Sequence, residues 1–371
     1  MTIGDSFSIT YTFSANGQDE AMLIARNISL EQTAELPEDA IPDSLKSYTG
    51  RVSPLQEMEN GTWNCTITYP CEVAGGEITQ FINVLFGNIS LKPGIRITSV
   101  NPGKLLPLFP GPKMGLEGIR KRMGATKRPL SCTALKPMGA TSNYLANTAY
   151  LFSAGGIDII KDDHGLANQP MSVFKDRVEK CVRAVQKGSR ESGKRSLYVP
   201  NITADSSTLM KRAEFAFENG ADGFLIAPQI TGLAELARVS AAFPNVPVIA
   251  HPAFSGPYTI NRNSGFTPEF YYGYFWKALG ADAVIYPNAG GRFSFSTDTC
   301  LEINRMCRTD HPGIGRAFPV PGGGISRDTI PALVKSYGND TIFLIGGSLY
   351  QHPEGLLEAA KEFRDYLVTA G

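Results

Sequence analysis

The pattern of hydrophobic and polar positions changes over the first ~120 residues of the chain. FSITYTF (7–13) and TWNCTITYP (62–70) alternate apolar and polar residues, the two-residue period of strands buried on one face. Residues 18–35 read as a helix, ITQFINVLFG (78–87) as a third strand and LKPGIRITSVN (91–101) as a further one. Together they predict a small α+β (ferredoxin-like) unit with helices on one face of an antiparallel sheet. The Pro- and Gly-rich VNPGKLLPLFPGPKMG (100–115) reads as a connector, and the expected domains are 1–120 and 121–371.

Beyond the connector, short β-type runs recur at SCTAL (131–135), IDIIK (157–161), SLYVPN (196–201) and GFLIAP (223–228). They continue at VPVIAH (246–251), ADAVIYP (281–287), AFPVPGG (317–323) and TIFLIGG (341–347). Amphipathic helical segments such as 173–188 and 208–220 lie between them. The entries AGGID, NGADG and LGADA each close a helix on glycine just before a strand. Eight strands alternating with eight helices predict a (β/α)8 barrel, with a doubly wound open sheet as the competing fold.

Composition narrows the function class. The chain has 371 residues, 19% of them charged, and a formal net charge of zero, which offers neither nucleic acid nor an anionic membrane an electrostatic reason to bind. No apolar run reaches membrane-spanning length, and the start has no signal-peptide layout. Six cysteines without a CxxC pair argue against a zinc site or disulfide framework, so a soluble protein of the reducing cytoplasm is expected.

Barrel active sites lie at the C-terminal ends of the strands. Those ends carry Lys136, the run Lys161-Asp162-Asp163-His164, Asn201, His251, Asn288 with Arg292, Gly322-Gly323-Gly324 and Gly346-Gly347-Ser348. The two glycine clusters let backbone N–H groups approach a phosphate; taken singly, either is a tight turn. The run 161–164 offers oxygen ligands suited to Mg2+, Asp163 the better placed, unless it is a solvated loop with Lys161 ion-paired to an aspartate. Carbamylation of Lys161 by CO2 would make it a further carboxylate. His164 and His251 are either general bases or packed strand-end histidines. Lys136 is an acid/base group, a cation facing an anionic substrate, or a surface lysine. Thr62 and Trp63 read first as core or edge-strand residues.

The motifs as a set resemble the large subunit of ribulose-bisphosphate carboxylase, and more closely its non-carboxylating form IV relatives, the RuBisCO-like proteins. FPGPKMGLEGIRKRMGATKRPLSCTALKPMG (109–139), GGIDIIKDDHGLANQP (155–170), PVPGGG (319–324) and IGGSLYQHP (345–353) carry the likeness, with EMENGTW (57–63) and FGNIS (86–90) in the first domain. The resemblance implies a Mg2+ site built on carbamylated Lys161 with Asp163, and with His164 where the family has a glutamate, a change that weakens Mg2+ binding. It implies Lys136 near the enolising carbon, His251 near substrate oxygens, and Gly323, Gly324, Gly346 and Gly347 on the phosphate. Glu57, Thr62, Trp63 and Asn88 would complete the site of a partner chain, so a homodimer, or a multiple of dimers, is expected.

The departures shape the expected activity. Met138 replaces the second lysine of a Lys-Pro-Lys motif, NAGGRFSFS (288–296) lacks the lysine that true carboxylases bring over CO2, and His251-Pro252 replaces a His-Arg pair. Carboxylation of a bisphosphate is therefore not expected. What remains is a metal-stabilised enolate formed from a phosphorylated keto-sugar or keto acid. The leading expectation is decarboxylation or transcarboxylation of 3-oxo-isoapionate 4-phosphate. The alternatives are 5-methylthioribulose-1-phosphate isomerisation, the methionine-salvage enolase reaction, which the resemblance associates with a lysine where Asn88 stands, and a non-catalytic sugar-phosphate-binding dimer.

Overall fold

The computed structural model describes residues 5–293 and 295–370. They form two compact units: the chain up to Phe109 together with Ser255–Tyr271, and Pro110–Phe254 together with the chain from Tyr272 onward.

The first unit is a mixed sheet with β1 (Ser6–Ser14), β2 (Arg51–Val52), β3 (Gln56–Glu57), β4 (Thr62–Pro70) and β5 (Ile95–Asn101). β1 runs antiparallel to both β4 and β5, and Gly265–Phe266 joins β5 in parallel. Alternation decides the buried face: Phe7, Ile9, Tyr11 and Phe13 of β1 lie inside, as do Trp63, Cys65, Ile67 and Tyr69 of β4. The expected helix is present as Gln18–Glu31. Residues 78–87, expected as a strand, instead form the helix Ile78–Phe86. Its buried residues Phe81, Val84 and Leu85 follow helical i, i+3, i+4 spacing, whereas a strand face through Phe81 and Leu85 would also have buried Asn83. Phe81 packs on Phe7 at 5.5 Å, and the Tyr11 hydroxyl donates to the Leu85 carbonyl.

The second unit is the barrel. Its strands are β6 (Leu130–Leu135), β7 (Ile159–Asp162), β8 (Leu197–Val199), β9 (Phe224–Ile226) and β10 (Val248–Ala250), followed, after β11 (Gly265–Phe266) of the first unit, by β12 (Ala283–Pro287), β13 (Phe318–Gly322) and β14 (Ile342–Ile345). Neighbours pair in parallel in the order β8-β7-β6-β14-β13-β12-β10-β9, and an Asn201–Leu225 bridge closes the ring. Every strand of the ring is almost wholly buried and mostly apolar on both faces. The interior is filled by alternate residues, among them Cys132, Ile159, Val199, Leu225, Ile249, Ile285, Val320 and Leu344.

The helix Gly115–Met123 adds Leu116, Ile119 and Met123 to that cluster and closes the end where the strands begin. Asp282 holds it there: its Oδ1 accepts from the Met114 and Gly115 N–H groups at 2.7 and 2.6 Å, and its Oδ2 from Val248 at 2.8 Å. Chemistry is thereby confined to the opposite mouth. Among the described residues no helix is long and apolar enough to cross a membrane.

Candidate active site

Strand parity selects the side chains that reach the mouth. Continuing the interior-facing rows past the packed layer gives Ala134 and Lys136, Lys161 and Asp163, His251, Pro287, Gly322 and Gly346, and all of these line one cavity of about 570 Å³. Residues of the opposite parity face the helices. Asp162 is fully buried and accepts from Arg177 Nε at 3.0 Å, the Tyr198 hydroxyl at 2.9 Å and the Asn201 N–H at 3.1 Å. Asn288 donates to the Gly323 carbonyl and accepts from the Tyr337 hydroxyl. Asn201 continues the interior row of Val199, but it donates to the carbonyls of His164 and Leu166, both at 3.0 Å, and so fixes the turn that carries His164. Of the polar ring expected from the sequence, these three residues are scaffold.

The cavity wall is strongly polarised. Lys136 Nζ meets Asp163 Oδ1 at 2.7 Å. Burial opposes ionisation of Asp163, but the Lys136 hydrogen bond and the Lys161 charge outweigh it and hold the carboxyl below its ordinary range. Lys161 is buried, with Nζ donating to the Asp162 carbonyl at 3.1 Å. Burial lowers its pKa and so favours the free amine, the form that reacts with CO2.

His164 stacks on His251, with ring centroids 4.5 Å apart and planes 16° from parallel. Burial first, then the charges of Lys161, His164 and Lys136, push His251 well below its usual value. Its Nδ1 accepts from the Ala253 N–H at 3.1 Å, so the neutral ring carries its proton on Nε2. That makes His251 a donor rather than a base.

A divalent cation fits the residues present if Lys161 is carbamylated. Asp163 Oδ2 and His164 Nδ1 are 3.6 Å apart, close to the ~3.0–3.4 Å between adjacent donors on an ion with bonds of ~2.1 Å. Among the described residues no three His, Cys, Asp or Glu side chains converge, so the carbamate is needed as the third protein donor.

The two glycine clusters differ. Gly323 and Gly324 have φ of +96° and +68°, and a Cβ on Gly324 would lie 2.8 Å from the Gly290 carbonyl carbon, so the turn itself requires glycine there. At Gly346 and Gly347 an added Cβ meets nothing within 4 Å, and neither φ is left-handed. The turn therefore leaves open space beside its backbone, room for a ligand to approach closely. Arg292 and Ser348 line the same cavity.

Glu57, Thr62, Trp63 and Asn88 belong to the first unit. Glu57 and Asn88 are exposed, Asn88 donating to Glu31; Thr62 is half-buried; and Trp63 is buried with its indole N–H on the Ala15 carbonyl. One contact at the barrel mouth escaped sequence reasoning. The Tyr350 hydroxyl accepts from the Lys136 N–H and donates to the Ala134 carbonyl, each at 2.9 Å. No local pattern links positions so far apart in sequence.

A family model described as ribulose bisphosphate carboxylase large chain, catalytic domain, matches residues 115–368. The chain is 36% identical over 343 residues to a 5-methylthioribulose-1-phosphate isomerase of Rhodospirillum rubrum, covering 91% of this chain and 90% of that protein. It is 33% identical over 337 residues to a 2,3-diketo-5-methylthiopentyl-1-phosphate enolase of Geobacillus kaustophilus, covering 87% and 82%. The crystal structure of a Rubisco-like protein from Rhodopseudomonas palustris superposes with a TM-score of 0.89 at 32% identity, over 99% of each chain. The chain belongs to the ribulose bisphosphate carboxylase large-chain family, among its RuBisCO-like proteins.

Proposed function

We propose that this RuBisCO-like protein is a proton-transfer isomerase of a phosphorylated ketose, with 5-methylthioribulose 1-phosphate as the first candidate substrate. The reading rests on one observation: an amine, Lys136, and a neutral imidazole, His251, line the same cavity. Lys136, after losing its proton to solvent, is a base for the C–H beside the ketone. The C–H electron pair becomes the C=C bond, and the ketone oxygen takes the charge. His251 Nε2–H hydrogen-bonds to that oxygen, and the proton of the hydroxyl on the carbon that lost its C–H passes to it. Lys136 returns its proton to the former ketone carbon, so that the C=C pair forms the new C–H bond and the hydroxyl-bearing carbon becomes the carbonyl. Backbone N–H groups at Gly346 and Gly347, with Gly323 and Gly324 at the end of the neighbouring strand, hold the phosphate. A divalent cation on carbamylated Lys161, Asp163 and His164 would supply Lewis acidity toward the ketone.

The C–C-cleaving reaction on 3-oxo-isoapionate 4-phosphate gives way as first candidate. The isomerase of R. rubrum is 36% identical over most of the chain, and Lys136 supplies a base that cleavage of a β-keto acid does not need.

The test is incubation with Mg2+ or Mn2+ and bicarbonate in D2O, each candidate phosphate supplied in turn, with products followed by NMR and CO2 by a coupled assay. Conversion of the methylthioribulose phosphate without CO2, slowed at least ~100-fold in Lys136→Met, is the expected result. Release of CO2 from the branched keto acid would make the protein a decarboxylase. Phosphate binding without turnover of any candidate would make it a binding protein.

A further inference from the structure

The first barrel strand ends with an unusual hydrogen-bonding arrangement. β14 pairs with β6 from Ile342–Leu130 to Ile345–Thr133 and then turns away at Gly346. The next groups on that edge of β6, the Ala134 carbonyl and the Lys136 N–H, lose their ladder partners and need others. One phenol supplies both, because the Tyr350 hydroxyl spans them at 2.9 Å each. The ring is held from its other side by Phe152, edge-on at 5.7 Å.

Tyr350 lies in the single helical turn Gly347–Gln351, which begins at the open glycine turn. Four residues of chain therefore connect the turn that faces the cavity to the hydroxyl that fixes the backbone of Lys136. From there the Lys136 side chain runs to Asp163.

We propose that Tyr350 is a positioning residue that transmits phosphate occupancy at Gly346-Gly347 to Lys136, so that the substrate's phosphate raises the turnover rate as well as the affinity. The inference rests on the reading above in which that turn holds phosphate and Lys136 moves the proton. A phosphate clamping the turn fixes the Gly347–Gln351 helix, the hydroxyl and the Lys136 main chain together. Binding energy from a part of the substrate that does not react then appears in kcat.

The experiment divides the substrate. Wild type and Tyr350→Phe are given 5-methylthioribulose 1-phosphate, or 5-methylthioribulose with and without phosphite dianion. For wild type, phosphite is expected to accelerate turnover of the phosphate-free sugar. In Tyr350→Phe, kcat on the intact substrate is expected to fall about 10- to 100-fold with KM little changed. Phosphite should still bind to the variant, followed by calorimetry, but no longer accelerate the truncated sugar. Unaided turnover of that sugar should fall less than turnover of the intact substrate, and an unchanged thermal unfolding midpoint reports that the variant is folded.

Equal activation by phosphite in both proteins would overturn the proposal. So would an equal loss on the intact and truncated substrates, which is what a merely structural tyrosine produces. A substrate-independent arm separates this idea from the choice of substrate. With nitrogen-15-labelled lysine, inorganic phosphate should shift the Lys136 side-chain resonance in wild type and not in Tyr350→Phe. That pattern upholds the coupling even where no candidate sugar reacts, and a shift in both proteins, or in neither, refutes it.

Discussion

Asp162 and Asp163 are adjacent carboxylates that the two-residue strand period sends to opposite sides of β7. Asp162 faces outward into a fully buried pair with Arg177, where burial alone would favour the neutral guanidine but the Asp162 charge reverses the sign and raises the Arg177 pKa. Asp162→Ala strands that guanidinium, and denaturant unfolding should show a loss of about 3–5 kcal/mol. Asp163→Asn removes an ion pair at the cavity wall, where Lys136 is 38% exposed; stability should change by less than ~1 kcal/mol while calorimetry detects no divalent cation binding. His164 brings a nitrogen where Mg2+ prefers oxygen. With bicarbonate present, calorimetry should rank Mn2+ above Mg2+ for the wild type, and His164→Glu should narrow the gap. Were His164→Glu to bind both ions as the wild type does, His164 would not be a ligand. Burial holds His251 neutral below its ordinary 6.5, so an NMR titration of its ring should show protonation at a lower pH than an unperturbed histidine gives.

At the scale of elements, Asp282 ties the helix Gly115–Met123 to the starts of β10 and β12. Burial raises its pKa from 3.8 to about 6 against the pull of the backbone N–H groups that it accepts from. Between those values the folded state binds more proton than the unfolded chain, so this group's contribution to stability falls as pH rises from 4 to 6. Asp282→Asn should remove that slope. It also turns an amide N–H toward one of the donors, costing about 1–3 kcal/mol at neutral pH. Urea titrations of both proteins at several pH values would read both effects, and parallel pH profiles would contradict the assignment.

For the whole molecule, the expectation carried by Glu57, Thr62, Trp63 and Asn88 is a site completed by a second copy of the chain. Lys161→Ala and Glu57→Gln should each be inactive alone. Mixed by co-expression, random dimers would contain one intact site in each heterodimer, restoring about a quarter of wild-type sites. No recovery in verified heterodimers would mean that each chain works by itself, with Glu57 outside the site.

Much of this protein is legible along the chain because its signals are local. Period-two alternation identified β1 and β4, and apolar runs alternating with amphipathic helices gave the barrel its strand order. The strand-end motifs carried Lys136, Lys161, Asp163 and His251 to one cavity. The helix at 78–86, where a strand is expected, also has a local cause, the helical spacing of Phe81, Val84 and Leu85. What only the tertiary structure decided depends on contacts between distant residues. Asp162, Asn201 and Asn288 proved to be scaffold because side-chain parity and their partners become known only when the barrel closes. Residues 255–271 left the barrel sequence to join the first unit, and Tyr350 reached Lys136 across 214 positions. Periodicity carries no information about such pairings, because they are set by which strand lies beside which and where each one stops.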